Sequence, residues 1–328
     1  MFRMKRRKFI TLLVSAVAAA WSLAAHAQQQ ANIVPRLGWL GNLTPTAPFY
    51  DGLRKGLREL GYVEGKNITI EARWAEGNLD RLPELARELA RLNVNVMLVA
   101  GDQGLRAAKE ATSTIPIVVT ACDPLDSLVA SIARPGGKAT GVTCVSSELA
   151  GKRLQLLKEV VPAVVRIAVL YNPGDHNKAP EYRQIQQVAG SLHLSSRAFE
   201  ARSPAEIDAA FVAIAEDHAQ ALLTLADPLM NFHVKKLADL ALKSRLPAIY
   251  GFREFPDAGG LISYGANNAW TYWRAASYID KIFKGANPGD LPIEQPTKFE
   301  LIINLKTAKA LGIAIPNTLL AIADEVIE

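Results

Sequence analysis

Hydrophobic residues follow two alternating patterns along the chain. Short apolar runs rich in β-branched residues are separated by longer segments in which apolar residues recur every three or four positions. The short runs predict buried strands, and the longer segments predict amphipathic helices. Their regular alternation is typical of βαβ units built around parallel sheets. The pattern therefore predicts a protein of the α/β class.

The first half of the chain predicts four strands joined by crossover helices. The first helix carries Phe49, Leu53, Leu57 and Leu60 on one face and ends at Gly61, a residue type common at helix ends. A further helix is expected after Asp123-Pro124. The four predicted strands are 36–40, 67–72, 94–99 and 115–120, and the helices between them lie near 79–92 and 103–111.

A glycine- and proline-rich stretch, 134–144, predicts a crossing to a second lobe, after which the alternation resumes. The run 260–265 precedes a helix rich in aromatic residues and predicts a return to the first lobe. The segment 291–328 then crosses a third time and completes the second lobe. In this lobe the predicted helices are 150–160, 178–190, 204–217 and 229–243, and the strands are 166–171, 195–200, 221–225 and 247–250.

The predicted fold is therefore two doubly wound parallel-sheet lobes joined by a hinge of several crossings. Lobe 1 is expected to comprise residues 33–145 plus 265–290. Lobe 2 is expected to comprise residues 146–264 plus 291–328. The crossings near 143–146, 264–266 and 291–294 would act as the hinge about which the lobes close.

Residues 1–27 lie outside both lobes and predict an export signal peptide. A basic run at 3–8 precedes an apolar stretch at 9–23, and Ala25-His26-Ala27 is a small-x-small cleavage site. The apolar stretch is shorter than the roughly 20 residues of a membrane-spanning helix. We expect cleavage near Ala27 and a periplasmic mature protein. Because Arg6-Arg7 resembles a twin-arginine motif, both export routes stay open.

Removal of the signal changes the interpretation of the charge. The chain has 37 basic and 32 acidic residues, but the signal contains five of the basic residues and no acidic one. The mature chain therefore carries 32 residues of each kind and is formally neutral. A neutral mature chain does not indicate a basic surface that binds nucleic acid. We therefore expect no nucleic-acid partner.

The chain has two cysteines, Cys122 and Cys144, which are too few for a disulfide framework and lack the spacing of a metal site. Both fall at ends of predicted strands. A single bridge in an oxidising compartment remains open.

Ligands of open parallel sheets bind beyond the carboxyl ends of the strands. The predicted loops at those ends are rich in Asn, Asp and aromatic residues, which can hold an amine, a hydroxyl or a carboxylate and can enclose an apolar group. The candidate ligand-binding residues at these ends and in the hinge are Asn42, Tyr50, Asp102, Gln103, Asp123, Ser146, Tyr171, Asn172, Asp227, Tyr250, Phe252 and Glu254.

Several of these candidates also have a purely structural interpretation. Asp123 and Asp227 each precede a proline, as an N-cap does at a helix start. Asn172 begins an ordinary Asn-Pro-Gly turn. Phe49 begins the apolar stripe of the first helix, so Tyr50 is the one expected to face the cleft.

Motifs of catalysis and cofactor binding are missing from the chain. No G-x-G-x-x-G follows the first strand, and no P-loop, G-x-S-x-G or H-E-x-x-H sequence occurs. We therefore expect a protein that is not an enzyme and that binds no cofactor and no metal.

Several blocks of sequence resemble the tryptophan/tyrosine-type substrate-binding proteins of ABC transporters. The resemblance implies a type I periplasmic binding protein fold with the ligand held between the lobes. It also implies an ABC transporter permease and ATPase in the inner membrane as partners. The matching blocks are GYVEGKN at 61–67, ATSTIPIV at 111–118, LVASIARPGGKATGVT at 128–143, GGLISYG at 259–265, and LPIEQPTKFE at 291–300 with the tail through Ile327-Glu328.

Two departures from the family pattern bear on the ligand. Asp102-Gln103 stands where members often carry a small hydroxyl pair, and an acidic side chain there would repel a carboxylate or take an amine. Cys122 stands where glycine is common. The expected function is periplasmic capture of a small organic solute, such as an aromatic or other amino acid, by a monomer. A periplasmic sensor subunit of a signalling receptor is the alternative.

Overall fold

The computed structural model describes residues 34–121, 125 and 128–328. These residues form two open sheets with helices on both faces, which confirms the predicted two-lobe α/β fold. Within the described part of the chain, no helix is both long and apolar enough to cross a membrane.

The sheet of lobe 1 has five parallel strands in the order β2-β1-β3-β4-β5. Four strands were predicted for this lobe. The fifth is part of the stretch predicted only as a crossing, and it pairs with β4. The strands are β1 (Arg36–Gly41), β2 (Thr69–Trp74), β3 (Val96–Ala100), β4 (Ile117–Ala121) and β5 (Ala139–Thr143), and the helices between them are α1 (Tyr50–Glu59), α2 (Leu82–Arg91) and α3 (Gly101–Ala111).

The sheet of lobe 2 has seven strands in the order β12-β11-β10-β9-β8-β6-β7. Its strands are β6 (Arg166–Tyr171), β7 (Ser195–Glu200), β8 (Ala221–Thr224), β9 (Ala248–Tyr250), β10 (Ile262–Gly265), β11 (Glu300–Asn304) and β12 (Glu325–Ile327). The helices that follow in the chain are α4 (Ala150–Val160), α5 (Lys178–Ser191), α6 (Pro204–Glu216), α7 (Pro228–Phe232), α8 (Val234–Lys243), α9 (Glu254–Asp257), α10 (Asn268–Phe283), α11 (Leu305–Leu311) and α12 (Asn317–Ile322).

Within this second sheet, β10 and β11 are antiparallel while the other pairs are parallel. The sequence pattern predicted parallel sheets throughout. The difference arises because the chain leaves β10 at the hinge and returns from the hinge directly into β11. Because the helix between them, α10, packs on lobe 1 and does not cross back over the lobe 2 sheet, β11 starts at the edge where β10 ends.

Three segments connect the two sheets. Residues 144–149 follow β5, residues 266–267 lead from β10 into α10, and the chain after α10 passes β5 again before it enters β11. At this third passage Thr143 N donates to Glu294 O (2.8 Å), and Glu294 N donates to Gly141 O (3.0 Å). The three connections therefore lie side by side as one hinge.

The predicted helix 229–243 is divided in two. His233 interrupts it, with φ −109° and ψ 28°, so that α7 ends at Phe232 and α8 begins at Val234. This break lets the short α7 follow the end of β8 at the cleft while α8 packs on the sheet.

Helix α10 packs in lobe 1 against α1, although it follows lobe 2 in sequence. Two glycines of α1 permit the close approach. A Cβ atom on Gly52 would lie 2.0 Å from Ala269 O, and a Cβ on Gly56 would lie 2.6 Å from Trp273 O. The contact therefore sets the first turn of α10 at the edge of the cleft.

Candidate ligand-binding cleft

A pocket lies between the lobes at the carboxyl ends of several strands. Its lobe 1 side is lined by residues that end or follow β1, β3 and β4, including Asn42, Gly101 and Thr120. Its lobe 2 side is lined by residues after β8 and β9, including Asp227 and Phe252. We call this space the cleft pocket. Its position at the strand ends is the one expected for the ligand site of such sheets.

Aromatic rings form one wall of the cleft pocket. Phe49 stacks on Tyr272 with ring centroids 5.4 Å apart, and Tyr50 meets Tyr272 edge-on at 5.0 Å. Behind them, Trp39 and Trp74 lie 4.9 and 5.1 Å from Tyr50. Burial raises the pKa of Tyr272 to about 12, so its hydroxyl stays neutral. The wall therefore offers flat apolar faces to a ligand.

Asp227 stands on the opposite, lobe 2 side of the pocket. Its Oδ1 accepts from Leu229 N (2.7 Å) and Met230 N (3.3 Å), so the carboxylate caps α7 as the Asp-Pro sequence indicated. The residue also lines the cleft pocket. Asp227 therefore both caps α7 and lines the cleft pocket.

Burial raises the pKa of Asp227 to about 7. The buried ammonium of Lys178 opposes this change, and the carboxylate of Asp175 adds to it. Lys178 Nζ itself lies 3.1 Å from Glu181 Oε2 and 3.8 Å from Asp175 Oδ2. A cationic group brought close to Asp227 would favour its ionised form.

Asn42 lines the cleft pocket, whereas Asn172 lines a neighbouring cavity between the lobes and contacts Asp227. Asn42 Nδ2 donates to Ala100 O (3.1 Å), which orients the amide, and its Oδ1 is buried without a hydrogen-bond partner among the described residues. Asn172 Nδ2 donates to Asp227 Oδ2 (3.3 Å), and its Oδ1 accepts from Gly174 N (2.9 Å) as a turn residue does. The hydrogen-bond acceptors that line the pocket therefore include Asn42 of lobe 1 and Asp227 of lobe 2.

Asp102 and Gln103 line a different cavity between the lobes, together with Arg106, His176 and Arg202. Asp102 Oδ2 accepts from Asn177 Nδ2 (3.3 Å) across the cleft. At this point of lobe 1 it is Gly101 that lines the cleft pocket. The carboxylate of Asp102 was expected to repel an acidic ligand, but the structure directs it to the neighbouring cavity.

The other candidates have different locations. Phe252 lines the cleft pocket, whereas Ser146, Tyr171 and Tyr250 do not. Ser146 Oγ accepts from Arg153, and Tyr171 donates to Glu200 Oε1 (3.0 Å). The ring of Tyr250 stacks on Phe255 at 4.2 Å. Glu254 lines a third cavity beside the pocket.

Two predicted positions, Asp123 and Cys122, lie outside the described residues. Cys144, at the first crossing, is buried and disulfide-bonded.

The sequence interpretation missed several lining residues. Phe49 lines the pocket beside Tyr50, although only Tyr50 was predicted to face the cleft. For the missed residues of α10 the sequence did contain a signal. Asn267, in the turn after the second crossing, is a typical N-cap residue, and it caps this helix. The missed residues are Leu43, Phe49, Thr120, Asn231, Asn268, Thr271 and Tyr272.

The cleft pocket therefore offers aromatic rings and hydrogen-bond acceptors. No group of three or more His, Cys, Asp or Glu side chains able to hold a metal ion occurs in the described ranges. A small ligand that combines an apolar ring with a donor group matches these surroundings.

Comparison with known proteins gives a consistent result. A curated relative, the tyrosine-binding protein of Clostridioides difficile (strain R20291), is 25% identical over 262 residues, which cover 79% of this chain and 75% of the relative. A conserved domain protein from Vibrio cholerae has a similar structure, with a TM-score of 0.84 at 28% identity over 90% of this chain and 100% of its own.

A further similar structure is the ABC domain from Streptococcus pneumonia in complex with L-Trp, with a TM-score of 0.83 at 23% identity over 90% of this chain and 100% of its own. Residues 46–327 match the family model described as ABC transporter substrate binding protein. Proteins of this family bind solutes outside the cytoplasm and are not enzymes. The chain thus belongs to the ABC transporter substrate-binding protein family.

Proposed function

We propose that this protein captures an amino acid with an aromatic side chain in the cleft pocket and delivers it to an ABC importer. The observation that carries the proposal is the composition of the pocket. Stacked rings of Phe49 and Tyr272 face a space that Asp227 also lines. An aromatic side chain and an ammonium group on one small molecule would satisfy both sides.

The energetics favour such a ligand. An aromatic ring that packs between Phe49 and Phe252 leaves water and gains ring contacts of about 0.5–1.5 kcal/mol beyond its burial. An ammonium near Asp227 would pair with a carboxylate that is buried in the lobe. The ligand names of the relatives from Clostridioides difficile and Streptococcus pneumonia support the same class.

The ligand's carboxylate would lie toward lobe 1. Helix α3 begins at Gly101, and backbone N–H groups at a helix start attract an anion. Gly101 has φ +73°, a left-handed conformation that favours glycine and brings the backbone to the pocket surface. This arrangement supports an α-amino acid in place of a simple aromatic amine.

The cellular setting is part of the same proposal. Residues 1–27 would direct export and be removed near Ala27, so that the mature protein acts in the periplasm. There it would present its closed form to the permease and the ATPase complex of the inner membrane. Loss of labelled tryptophan uptake in a strain lacking the gene, restored by the wild-type gene, would be the expected outcome in cells.

The direct test is calorimetric titration of residues 28–328 after unfolding and refolding, which removes any solute carried through purification. L-tryptophan, L-tyrosine and L-phenylalanine are the ligands. L-leucine lacks the ring, and indole-3-propionate lacks the ammonium, so each serves as a matched control. We expect binding of at least one aromatic amino acid and at least tenfold weaker binding of both controls. Equal binding of indole-3-propionate would contradict the role given to Asp227.

A further inference from the structure

A cavity adjoins the cleft pocket on the side of Phe49. It is lined by residues of both lobes and shares Leu43, Phe49 and Asn231 with the cleft pocket. We call it the side cavity. Because the two spaces share these side chains, a ligand in the cleft pocket that extends past Phe49 enters the side cavity.

Glu254 lies where the two spaces meet. It lines the side cavity, and its Oε1 accepts from Nδ2 of Asn268 (3.3 Å). Asn268 in turn lines the cleft pocket. The carboxylate is therefore one side chain away from the proposed ligand.

The second carboxylate oxygen of Glu254 has no hydrogen-bond partner among the residues that the structure describes. Oε2 is closed off from solvent and accepts no hydrogen bond from the described residues. The adjacent cation, Arg253, is directed elsewhere, to Asp257 Oδ2 (3.2 Å) and Glu325 Oε2 (3.1 Å). Burial raises the pKa of Glu254 above its usual range. A buried acceptor without a donor destabilises the closed form until a donor reaches it.

We propose that Glu254 is a specificity-determining residue whose Oε2 accepts a hydrogen bond from a donor group on the ligand's aromatic ring. The inference rests on the proposed function, since it needs an aromatic amino acid in the cleft pocket. The ligand's ammonium lies at Asp227, and its ring passes Phe49. The ring's own donor, an indole N–H or a phenol hydroxyl, then meets Glu254.

This arrangement selects among aromatic amino acids. A ring without a donor leaves Oε2 unsatisfied in the closed form, whereas a ring with a donor removes that penalty. A hydrogen bond to a charged group corresponds to a preference of about 10- to 100-fold. The protein should therefore prefer tryptophan or tyrosine to ligands of similar shape that lack the donor.

The test compares two ligand pairs by calorimetry on the refolded protein. L-tryptophan is paired with L-3-benzothienylalanine, in which sulfur replaces the indole N–H, and L-tyrosine is paired with L-phenylalanine. The wild-type protein should prefer the donor-bearing member of at least one pair by tenfold or more. In Glu254→Leu this preference should disappear, while the benzothienyl or phenyl ligand keeps its affinity.

Two further variants keep the result interpretable. Glu254→Gln keeps an acceptor of the same size and should retain a reduced preference, which separates the hydrogen bond from a folding defect. Glu216→Gln changes an exposed carboxylate on α6 that lines neither the cleft pocket nor the side cavity and should leave the preference unchanged. Melting curves of all variants report whether they are folded.

The possible results separate the two proposals. Equal affinities within both pairs for the wild-type protein would overturn the role of Glu254 and leave the proposed function standing. A preference that persists in Glu254→Leu would assign the donor contact to another residue and would also overturn it. Absence of binding by all four ligands would overturn both proposals together.

Discussion

Asp227 combines a capping role in the fold with a place in the proposed ligand site. Its carboxylate caps α7 through two backbone N–H groups and accepts from Asn172, yet it also lines the cleft pocket. Burial raises its pKa from 3.8 to about 7. The folded protein therefore holds a proton on this group over a pH range in which the unfolded chain has already released it.

The first prediction concerns stability and pH. Because the folded-state pKa of Asp227 is the higher one, its contribution to stability is fully present below pH 3.8 and is lost as the pH rises to about 7. Asp227→Asn keeps a capping side chain but cannot titrate. Between pH 5 and pH 8 the wild-type protein should lose about 2 kcal/mol of unfolding free energy relative to the variant. Urea unfolding of both proteins at the two pH values measures this difference, and parallel pH profiles would contradict it.

The second prediction concerns affinity at the same residue. Asp227→Asn removes the charge that pairs with the ligand's ammonium, so the affinity for the aromatic amino acid should fall by about 1.5–3 kcal/mol at pH 8. Asp208→Asn, an exposed carboxylate paired with Lys236, is the matched control and should bind as the wild type does. Calorimetry on both variants decides the matter. An unchanged dissociation constant in Asp227→Asn would show that the carboxylate caps α7 but does not pair with the ligand.

Single residues could be predicted from the sequence where the residue type and its place after a strand indicate a role. The sequence Asp227-Pro228 predicted a helix start at a strand end, and Asn42 directly follows β1. Thr271 and Tyr272 were missed because they lie inside a helix, where nothing local shows which face meets another lobe. Asp102 follows a strand as a ligand residue would, but it contacts Asn177, which is distant in sequence.

At the level of elements, the contact between α1 and α10 controls the aromatic wall of the pocket. Gly52 and Gly56 let the helices approach until a methyl group would collide with the backbone of α10. Helix α10 carries Tyr272, and α1 begins at Tyr50. The spacing of these two helices therefore sets the spacing of the rings.

The third prediction follows from this contact. Gly52→Ala should destabilise the protein by at least ~2 kcal/mol because its Cβ would lie 2.0 Å from Ala269 O, although alanine favours a helix by about 1 kcal/mol. Gly190→Ala, in the open space on α5, is the control and should stabilise the protein by about 0.5–1 kcal/mol. Thermal or urea unfolding measures both. A neutral Gly52→Ala would show that the helices can separate without loss.

Most elements were predictable from the sequence because the hydrophobic pattern is local. The bounds of the predicted strands lie within two residues of those of β1 to β4. The division of helix 229–243 was not predictable, since no glycine or proline marks His233. The antiparallel entry of β11 depends on the route through the hinge, which the alternation of strands and helices does not contain.

At the level of the whole molecule, contacts opposite the hinge hold the lobes together. Phe232 of α7 packs against the hydrophobic core of lobe 1, and its ring covers Gly77. The hydrogen bond from Asn177 to Asp102 crosses the same interface. These contacts form only when the lobes meet, so they add to the stability of the closed form alone.

The fourth prediction concerns closure. Phe232→Ala removes a half-buried ring between the lobes, and the closed form should lose about 1–2 kcal/mol relative to the open form. The affinity for the ligand should fall by about tenfold, since the competent state is less populated. Small-angle scattering should show a larger mean radius of gyration without ligand and the wild-type radius at saturation. Val212→Ala, an exposed site on α6, should change neither quantity.

The aromatic wall should also make the protein's own fluorescence sensitive to the proposed ligand. Trp39 and Trp74 lie 4.9 and 5.1 Å from Tyr50, and Tyr50 lines the cleft pocket. Indole emission responds to the polarity and the quenching groups in its immediate surroundings. Water leaving the cleft and a ring arriving beside Tyr50 would therefore alter the fluorescence of two native chromophores, so that capture of a solute can be followed in real time without a label.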